Sequence, residues 1–269
     1  MKKQYLFLLM GIMLVTFVFA GCSQQASTQQ DQSLQGIKDN GKFVLGLDDS
    51  FPPMGFRDEK GEIVGFDIDL AKEVAKRMGV ELEVKPIDWD GKVLSLNNQD
   101  IDVIWNGLTV TPERKEQILF SKDYLKNRQI VIVNKDSNIE NKKDLTNKVV
   151  AVQLGSSGED ALNADEKTSK AIKEIRKFSN YTEALLDLKA GRVDAVVIDE
   201  VVGRYYMGKR EGEYKIAKED FGEEGYAIGF RKNDISFQQE VDKILDEMKK
   251  DGTTGEISKK WFGKDIVSK

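Results

Sequence analysis

The sequence predicts an α/β protein built as two lobes with a cleft between them. Three observations carry this. Short apolar or alternating runs, which read as strands, follow helix-period stripes in the order β-α-β-α-β. The same order then runs a second time further along the chain. The 269 residues are enough for one or two packed domains. A composition of 40% hydrophobic and 32% charged residues argues against disorder and against a bundle of membrane spans. The formal net charge of −5 disfavours a nucleic-acid partner. A single Cys permits no internal disulfide. The absence of His excludes Ser-His-Asp and Cys-His nucleophile systems and imidazole-ligated metals, so neither a metal nor a cofactor is expected.

Taken in order, the chain opens with Lys2 and Lys3, followed by an apolar stretch from Leu6 to Ala20. That is the pattern of a signal peptide, residues 1–21, and is short for a membrane span. Phe19-Ala20-Gly21-Cys22 resembles a bacterial lipobox, with Phe19 where a Leu is usual. On that resemblance Cys22 is lipidated and becomes the first residue of the mature chain. Two or more acyl chains supply stable anchoring. Residues 22–35, rich in Gln and Ser, read as a flexible tether with an r.m.s. span of roughly 20 Å.

The body starts with a buried strand over Phe43–Leu47. A helix follows over Phe66–Met78, with Phe66, Leu70, Val74 and Met78 on one face and Gly79 as its stop. Val80, Leu82 and Val84 alternate as a strand, Trp89–Leu96 reads as a short helix, and Ile101–Trp105 as a strand. Thr111-Pro112-Glu113 supplies an N-cap, a proline for the first helical position and an acid in the first turn. The second half repeats the architecture without repeating residues. Gln129–Val133 and Val149–Val152 are strands, Thr182–Ala190 a helix stopped by Gly191, and Val193–Ile198 and Tyr226–Phe230 strands. Phe237–Lys250 is a helix with Val241, Ile244, Leu245 and Met248 on one face, ended by Gly252. A largely parallel sheet is expected in each half.

Several motifs in register resemble the family 3 extracellular solute-binding proteins, the amino-acid receptors of ABC importers. They are Asp48-Asp49-Ser50-Phe51-Pro52-Pro53, Gly65-Phe66-Asp67-Ile68-Asp69, and Asn106-Gly107-Leu108-Thr109 through Arg114. Further along come Gln153-Leu154-Gly155-Ser156-Ser157, Gly191-Arg192-Val193-Asp194 through Asp199, and Lys260-Trp261-Phe262-Gly263. The resemblance covers about residues 35–269. It implies a type II periplasmic-binding-protein fold. Lobe 1 would comprise residues 36–128 and 231–269, and lobe 2 residues 129–230. Crossover strands would lie near 129–134 and 226–230. It also implies a free L-amino acid as ligand, ABC importer permease subunits as partners, a monomer, and a lipid-anchored location on the outer face of the bacterial cytoplasmic membrane. The lobes would close on the ligand by a hinge motion.

A free α-amino acid needs a cation or oriented N–H groups for its carboxylate and an anion for its ammonium. Arg114 is the candidate carboxylate clamp, because its planar fork matches two oxygens. Thr109 adds a hydroxyl from the same loop. Ser156 and Ser157, between a strand and a helix, offer N–H groups from the other lobe, or simply cap that helix. Asp199 ends an apolar strand and is the candidate for the ammonium, whereas Asp194, at the strand's other end, reads as structural. Gly107 leaves room for a backbone carbonyl near the ammonium, or is a turn glycine. By family position Phe51 and Trp89 are aromatic walls. Asp48, Asn106 and Gln153 would read the far end of the ligand, which favours a polar or cationic side chain: arginine or lysine slightly ahead of glutamine.

Two other classes share this fold. A dehydratase-like cleft enzyme would need a positioned carboxyl acid. The two carboxylates expected in the cleft, Asp48 and Asp199, are both accounted for by ligand binding, so no enzyme is expected. A sensor ectodomain would need a membrane span and an output domain, and no remaining apolar run is long enough to span.

Overall fold

Residues 31–268 are described by the structure, a computed structural model. The expected signal peptide, Cys22 and most of the expected tether lie outside them. Among the described residues no helix is long and apolar enough to cross a membrane.

Two mixed sheets organise the fold. The first has the order β5-β1-β6-β14-β7, formed by β1 (Lys42–Leu47), β5 (Glu81–Pro86), β6 (Val103–Ile104), β7 (Leu119–Phe120) and β14 (Gly229–Phe230). The second has the order β10-β9-β11-β8-β12, formed by β8 (Leu125–Asn134), β9 (Val149–Gln153), β10 (Glu174–Phe178), β11 (Ala195–Asp199) and β12 (Tyr214–Ile216). A small antiparallel sheet of β2 (Ser50–Phe51), β3 (Gly55–Arg57) and β4 (Ile63–Val64) sits before the first long helix. It was not foreseen, its strands being too short to show a period.

The expectation of largely parallel sheets is corrected. β1 pairs in parallel with β5 and β6, and β9 with β10 and β11. However, β14 runs antiparallel to β6 and β7, and β8 runs antiparallel to β11 and β12. The antiparallel members are the stretches where the chain passes from one sheet to the other, so they enter from the opposite side. The predicted strand Tyr226–Phe230 is broken in two. β13 (Glu223–Tyr226) pairs with Leu125–Arg128 of β8, and β14 belongs to the first sheet. The two crossovers therefore lie side by side at 125–128 and 223–226.

The helices follow their stripes. In α2 (Phe66–Met78) Phe66, Leu70, Val74 and Met78 are all buried, and Gly79 closes the helix with a left-handed φ of 76°. In α9 (Ile235–Lys250) the face Phe237, Val241, Ile244, Leu245 and Met248 is buried against the first sheet's core. Asp194 is structural, as expected: its carboxylate accepts from Val149 N at 2.8 Å.

The tether ends sooner than the sequence suggested. Ser33–Asn40 is a helix, α1, with Ile37 buried. Its start is fixed by a reciprocal cap with the start of α9. The Asp31 carboxylate accepts from the backbone N–H groups of Ser33 and Ser236, and Ser33 Oγ accepts from Phe237 N at 3.2 Å. Ser236 Oγ in turn accepts from Leu34 N at 3.2 Å. No composition rule exposes a cap whose two halves are about 200 positions apart.

Partial burial works against the Asp31 charge, but hydrogen bonds from Ser33 and Ser236 hold its carboxyl down at about 2. A depressed folded-state pKa means the contribution is whole above the unfolded value near 4 and is lost as pH falls through about 2. Asp31→Ala should cost about 1 kcal/mol in urea unfolding at pH 7. The gap between variant and wild type should close at pH 2.

Candidate functional site

The loop from Trp105 to Thr111 leads from β6 into α4 (Pro112–Gln117). Thr111 caps that helix by accepting from Arg114 N at 3.2 Å, with Pro112 at the first helical position. The cap fixes Arg114 on the face toward the second sheet. Its guanidinium is 6% exposed. It donates from one nitrogen to Thr109 O (2.9 Å) and from another to Gly155 O (3.1 Å), which follows β9. Its nearest carboxylate partner is Asp160, at 4.0 Å, on an exposed side chain. Arg114 is thus a buried cation bonded to neutral oxygens, and burial lowers its pKa.

Asp199 is the converse. It closes β11, is 3% exposed, and accepts from Tyr226 OH (2.6 Å), Asn127 Nδ2 (2.7 Å) and Tyr181 OH (3.2 Å). Among the described residues no Lys or Arg pairs with it. Burial, then the neighbouring Glu224 carboxylate, pushes its carboxyl up to about 8.

Between these two groups the hydroxyls of Thr109 and Ser157 meet at 2.9 Å, joining a loop of the first sheet to α5 (Ser157–Ala164) on the second. Ser156 does what its bland reading said: its side chain caps α5 by accepting from Glu159 N at 3.1 Å. Gly107 has φ +58°, and a Cβ there would come within 2.8 Å of the Phe51 ring and 3.0 Å of the Tyr226 ring, so only glycine fits. Its N–H is held by Asp67 Oδ2 (2.8 Å), to which Tyr124 OH also donates (3.0 Å).

Phe51 lies near two rings, Trp89 at 6.4 Å with its plane nearly parallel (13°), and Tyr181 at 6.0 Å. The Asp48 carboxylate accepts from Ser50 N and Oγ on one oxygen and from Gln153 Nε2 (2.7 Å) on the other, a bond between the two sheets' elements. Burial raises its pKa. Asn106 does not share that face. It is wholly buried, its Oδ1 accepts from Asp48 N (3.0 Å), and its Nδ2 lies against the Cα of Gly55, so it braces Asp48 from behind.

The structure thus brings together Arg114, Thr109, Ser157 and Asp199 on one side and Phe51, Trp89, Asp48 and Gln153 on the other. Thr109, Arg114, Ser157 and Glu224 line a cavity of about 670 Å³, and Asp48 and Trp89 line one of about 580 Å³. A larger cavity of about 1160 Å³, bordered by Phe56, Tyr205 and Trp261, adjoins the Asp48 side through Asp49 and Ser50. Its lysines, such as Lys60, Lys72 and Lys209, are exposed, so it lacks the buried opposite charges of the cleft.

Sequence reasoning missed Lys92, Asn127, Gln129, Tyr181 and Glu224. Asn127 and Gln129 were findable: they sit two apart, hence on one face, in the strand that becomes apolar after them. Glu224 stands directly opposite Asn127 in the β13–β8 register, which no local pattern reveals. Lys92 is 5% exposed. Its ammonium lies over the Trp89 ring (4.9 Å) and donates to Trp89 O (3.1 Å) and to Gly155 O (2.9 Å), the carbonyl that Arg114 also uses. Gly155 has φ +70°, and a Cβ on it would lie 2.8 Å from Asp90 Oδ1, so the approach of the two walls depends on its bare Cα.

The sequence signature described as bacterial extracellular solute-binding proteins, family 3, matches residues 43–264. The L-cystine-binding protein TcyJ of Escherichia coli (strain K12) is 32% identical over 96% of this chain and 96% of its own length. The arginine-binding extracellular protein ArtP of Bacillus subtilis (strain 168) is 32% identical over 97% of this chain and 98% of its own. Among solved structures, a substrate-binding protein of an ABC uptake transporter from Streptococcus pneumoniae, with bound histidine, superposes with a TM-score of 0.87. It is 36% identical and matches 90% of this chain and 100% of its own.

Desolvation, then the Arg114 charge, lowers the Lys92 pKa to about 7 from the 10.5 of an exposed lysine. The unfolded chain therefore binds one more proton between those values, and stability rises with pH across that window. Lys92→Met should raise the thermal midpoint at pH 6.5 by about 2–4 °C, equivalent to about 1 kcal/mol. Scanning calorimetry at pH 9.5 should find the gain reduced.

Proposed function

The chain belongs to family 3 of the bacterial extracellular solute-binding proteins, and on that premise we propose that it captures a free L-amino acid and delivers it to the permease of an ABC importer. One observation carries this reading. The cleft holds a buried guanidinium, Arg114, whose one ion-pair partner among the described residues is the exposed Asp160 at 4.0 Å, and a buried carboxyl, Asp199, that no Lys or Arg among the described residues contacts. Leaving such groups unpaired is costly, and a zwitterion satisfies both at once. Arg114 takes the ligand carboxylate with Thr109 and Ser157, and Asp199 takes the ammonium. The groups are neutral-pH hydrogen-bonders arranged for binding, so the protein is read as a receptor and not an enzyme.

The ligand side chain runs toward Phe51, Trp89, Asp48 and Gln153. A guanidinium or ammonium stacks on the rings at roughly 0.5–2 kcal/mol while its edge meets Asp48. Arginine or lysine therefore stands slightly ahead of glutamine, which meets the same acceptors without burying a second ion pair. The arginine-binding relative supports this order. Lobe 1 consists of the first sheet with its helices, lobe 2 of the second. The lobes hinge at the paired crossovers 125–128 and 223–226. The protein works as a monomer, tethered through lipidated Cys22 on the outer face of the membrane.

A thermal-shift panel of the common amino acids should give its largest shift with arginine, lysine or glutamine. A largest shift with leucine, valine, aspartate or glutamate would remove the polar-or-cationic assignment. In calorimetric titration with the best of the panel, Arg114→Ala should lose about 2–5 kcal/mol of binding while keeping its unfolding transition. Affinity within a few-fold of wild type would take Arg114 out of the site. Cys22→Ala should leave binding intact and shift the protein out of the membrane fraction or leave it unprocessed. A normally processed, membrane-retained variant would show that the anchor is elsewhere.

A further inference from the structure

Glu224 is the most densely hydrogen-bonded side chain in the cleft. Its Oε1 accepts from Asn127 Nδ2 (2.6 Å), Thr109 Oγ1 (2.8 Å), Gln129 Nε2 (2.9 Å) and, at 3.4 Å, Ser157 Oγ. These donors come from the loop after β6, from the crossover strand β8 and from the start of α5, so one oxygen gathers both walls and the hinge. The same Asn127 nitrogen donates to Asp199 Oδ1 (2.7 Å). Two carboxylates are thus bound to a single amide nitrogen, with no Lys or Arg among the described residues in ion-pair contact with either.

The groups that face this pair are known from each element around it. Tyr226, on β13, and Tyr181, at the start of the helix Tyr181–Lys189, both donate to Asp199, and burial drives both phenols well above their usual pKa, so they stay neutral. Arg114, on α4, is the nearest cation, and its charge is felt by Asp199 and Glu224 without contact. Behind it lie Asp160 on α5 and Lys92. Burial and then the Glu224 charge both favour a proton on Asp199 while no cation joins the two.

We propose that Asp199 and Glu224 hold the ligand's α-ammonium jointly, and that the ammonium displaces to solvent the proton that Asp199 otherwise keeps beside Glu224. The inference rests on the amino-acid reading above and adds Glu224 to the site as a residue that sets ammonium affinity and its pH dependence. The balance is simple: the ammonium supplies the positive charge that the proton supplied, no bond within the ligand changes, and the proton leaves to buffer. Binding then strengthens as pH rises from 6 to 8, because burial and the Glu224 charge keep Asp199 protonated over much of that range in the empty cleft and the ammonium removes that need.

The test is calorimetric titration of the full-length protein with L-arginine, L-lysine, L-glutamine and L-histidine, each at pH 7 in phosphate and in Tris. The difference in apparent enthalpy between the buffers counts protons released. Wild type should release close to one proton per amino acid bound, and affinity should fall at least several-fold between pH 8 and pH 6. Glu224→Gln keeps an oxygen acceptor for Thr109, Asn127 and Gln129 but removes the second charge. It should bind about tenfold more weakly, with proton release cut by half or more. Glu224→Gln releasing as many protons as wild type would overturn the pair and assign the proton to Lys92 or Asp48. Wild-type binding that is flat in pH and identical in both buffers would overturn it without any variant. If none of the four amino acids gave heat with wild type, the amino-acid reading would fall and the pair with it.

Discussion

A guanidinium and a carboxyl group buried in one cleft, neither in close contact with an opposite charge, set the terms for this molecule. Arg114 and Asp199 are almost fully withdrawn from solvent, and each is surrounded by neutral oxygens, hydroxyls and amides. Hydrogen bonds soften that burial but do not neutralise it. Everything nearby is arranged to tolerate it. The Thr111 cap orients Arg114, Asp67 holds the Gly107 turn, and two tyrosines and Asn127 hold Asp199. A receptor that stores unpaired charge in its own walls gains specificity, since only a ligand with both signs at the right separation relieves both walls.

The bonds between the walls are single hydrogen bonds. Gly155 O receives both Arg114 and Lys92, Gln153 reaches Asp48, and the Thr109 and Ser157 hydroxyls touch. None of these is an ion pair. Only the hydroxyl pair is neutral, worth about 0.5–1.5 kcal/mol, while each bond from a cation or to a carboxylate contributes about 1.5–3 kcal/mol, and water can take the partner's place in all of them as the walls part. Such contacts define a closed arrangement without locking it, which suits a cleft that must take in and release its cargo.

The architecture was legible because the core-forming stripes are local. Phe66, Leu70, Val74 and Met78 announce a helix from spacing alone, and the apolar runs at Phe43–Leu47 and Ala195–Ile198 announce strands. Motif positions pointed to Arg114, Thr109, Ser157, Asp199, Phe51 and Trp89, which the fold brings near one another. What stayed hidden depends on pairing between distant segments. Glu224 matters because register sets it across from Asn127, Lys92 because a helix of six residues tucks it under Trp89, and Asp31 because α9 begins beside it. Asn106 was placed on the wrong side of Asp48, since a sequence says which loop a residue occupies but not which way it faces there. The mixed sheets escaped for the same reason: strand direction follows from where the chain crosses, and crossing leaves no compositional mark.

Gly155 shows how little material separates one state of such a cleft from another. Its bare Cα lies against Asp90 of the opposing wall, with less than a methyl group's clearance. The glycine is therefore a spacer of zero thickness, and the angle at which the walls meet is gauged at this point. A single carbon placed there would act as a shim, propping the jaws ajar by its own width and drawing the Gly155 carbonyl off Arg114 and Lys92. The resting gape of the receptor is thus set by one backbone position as much as by the side chains that line the cleft.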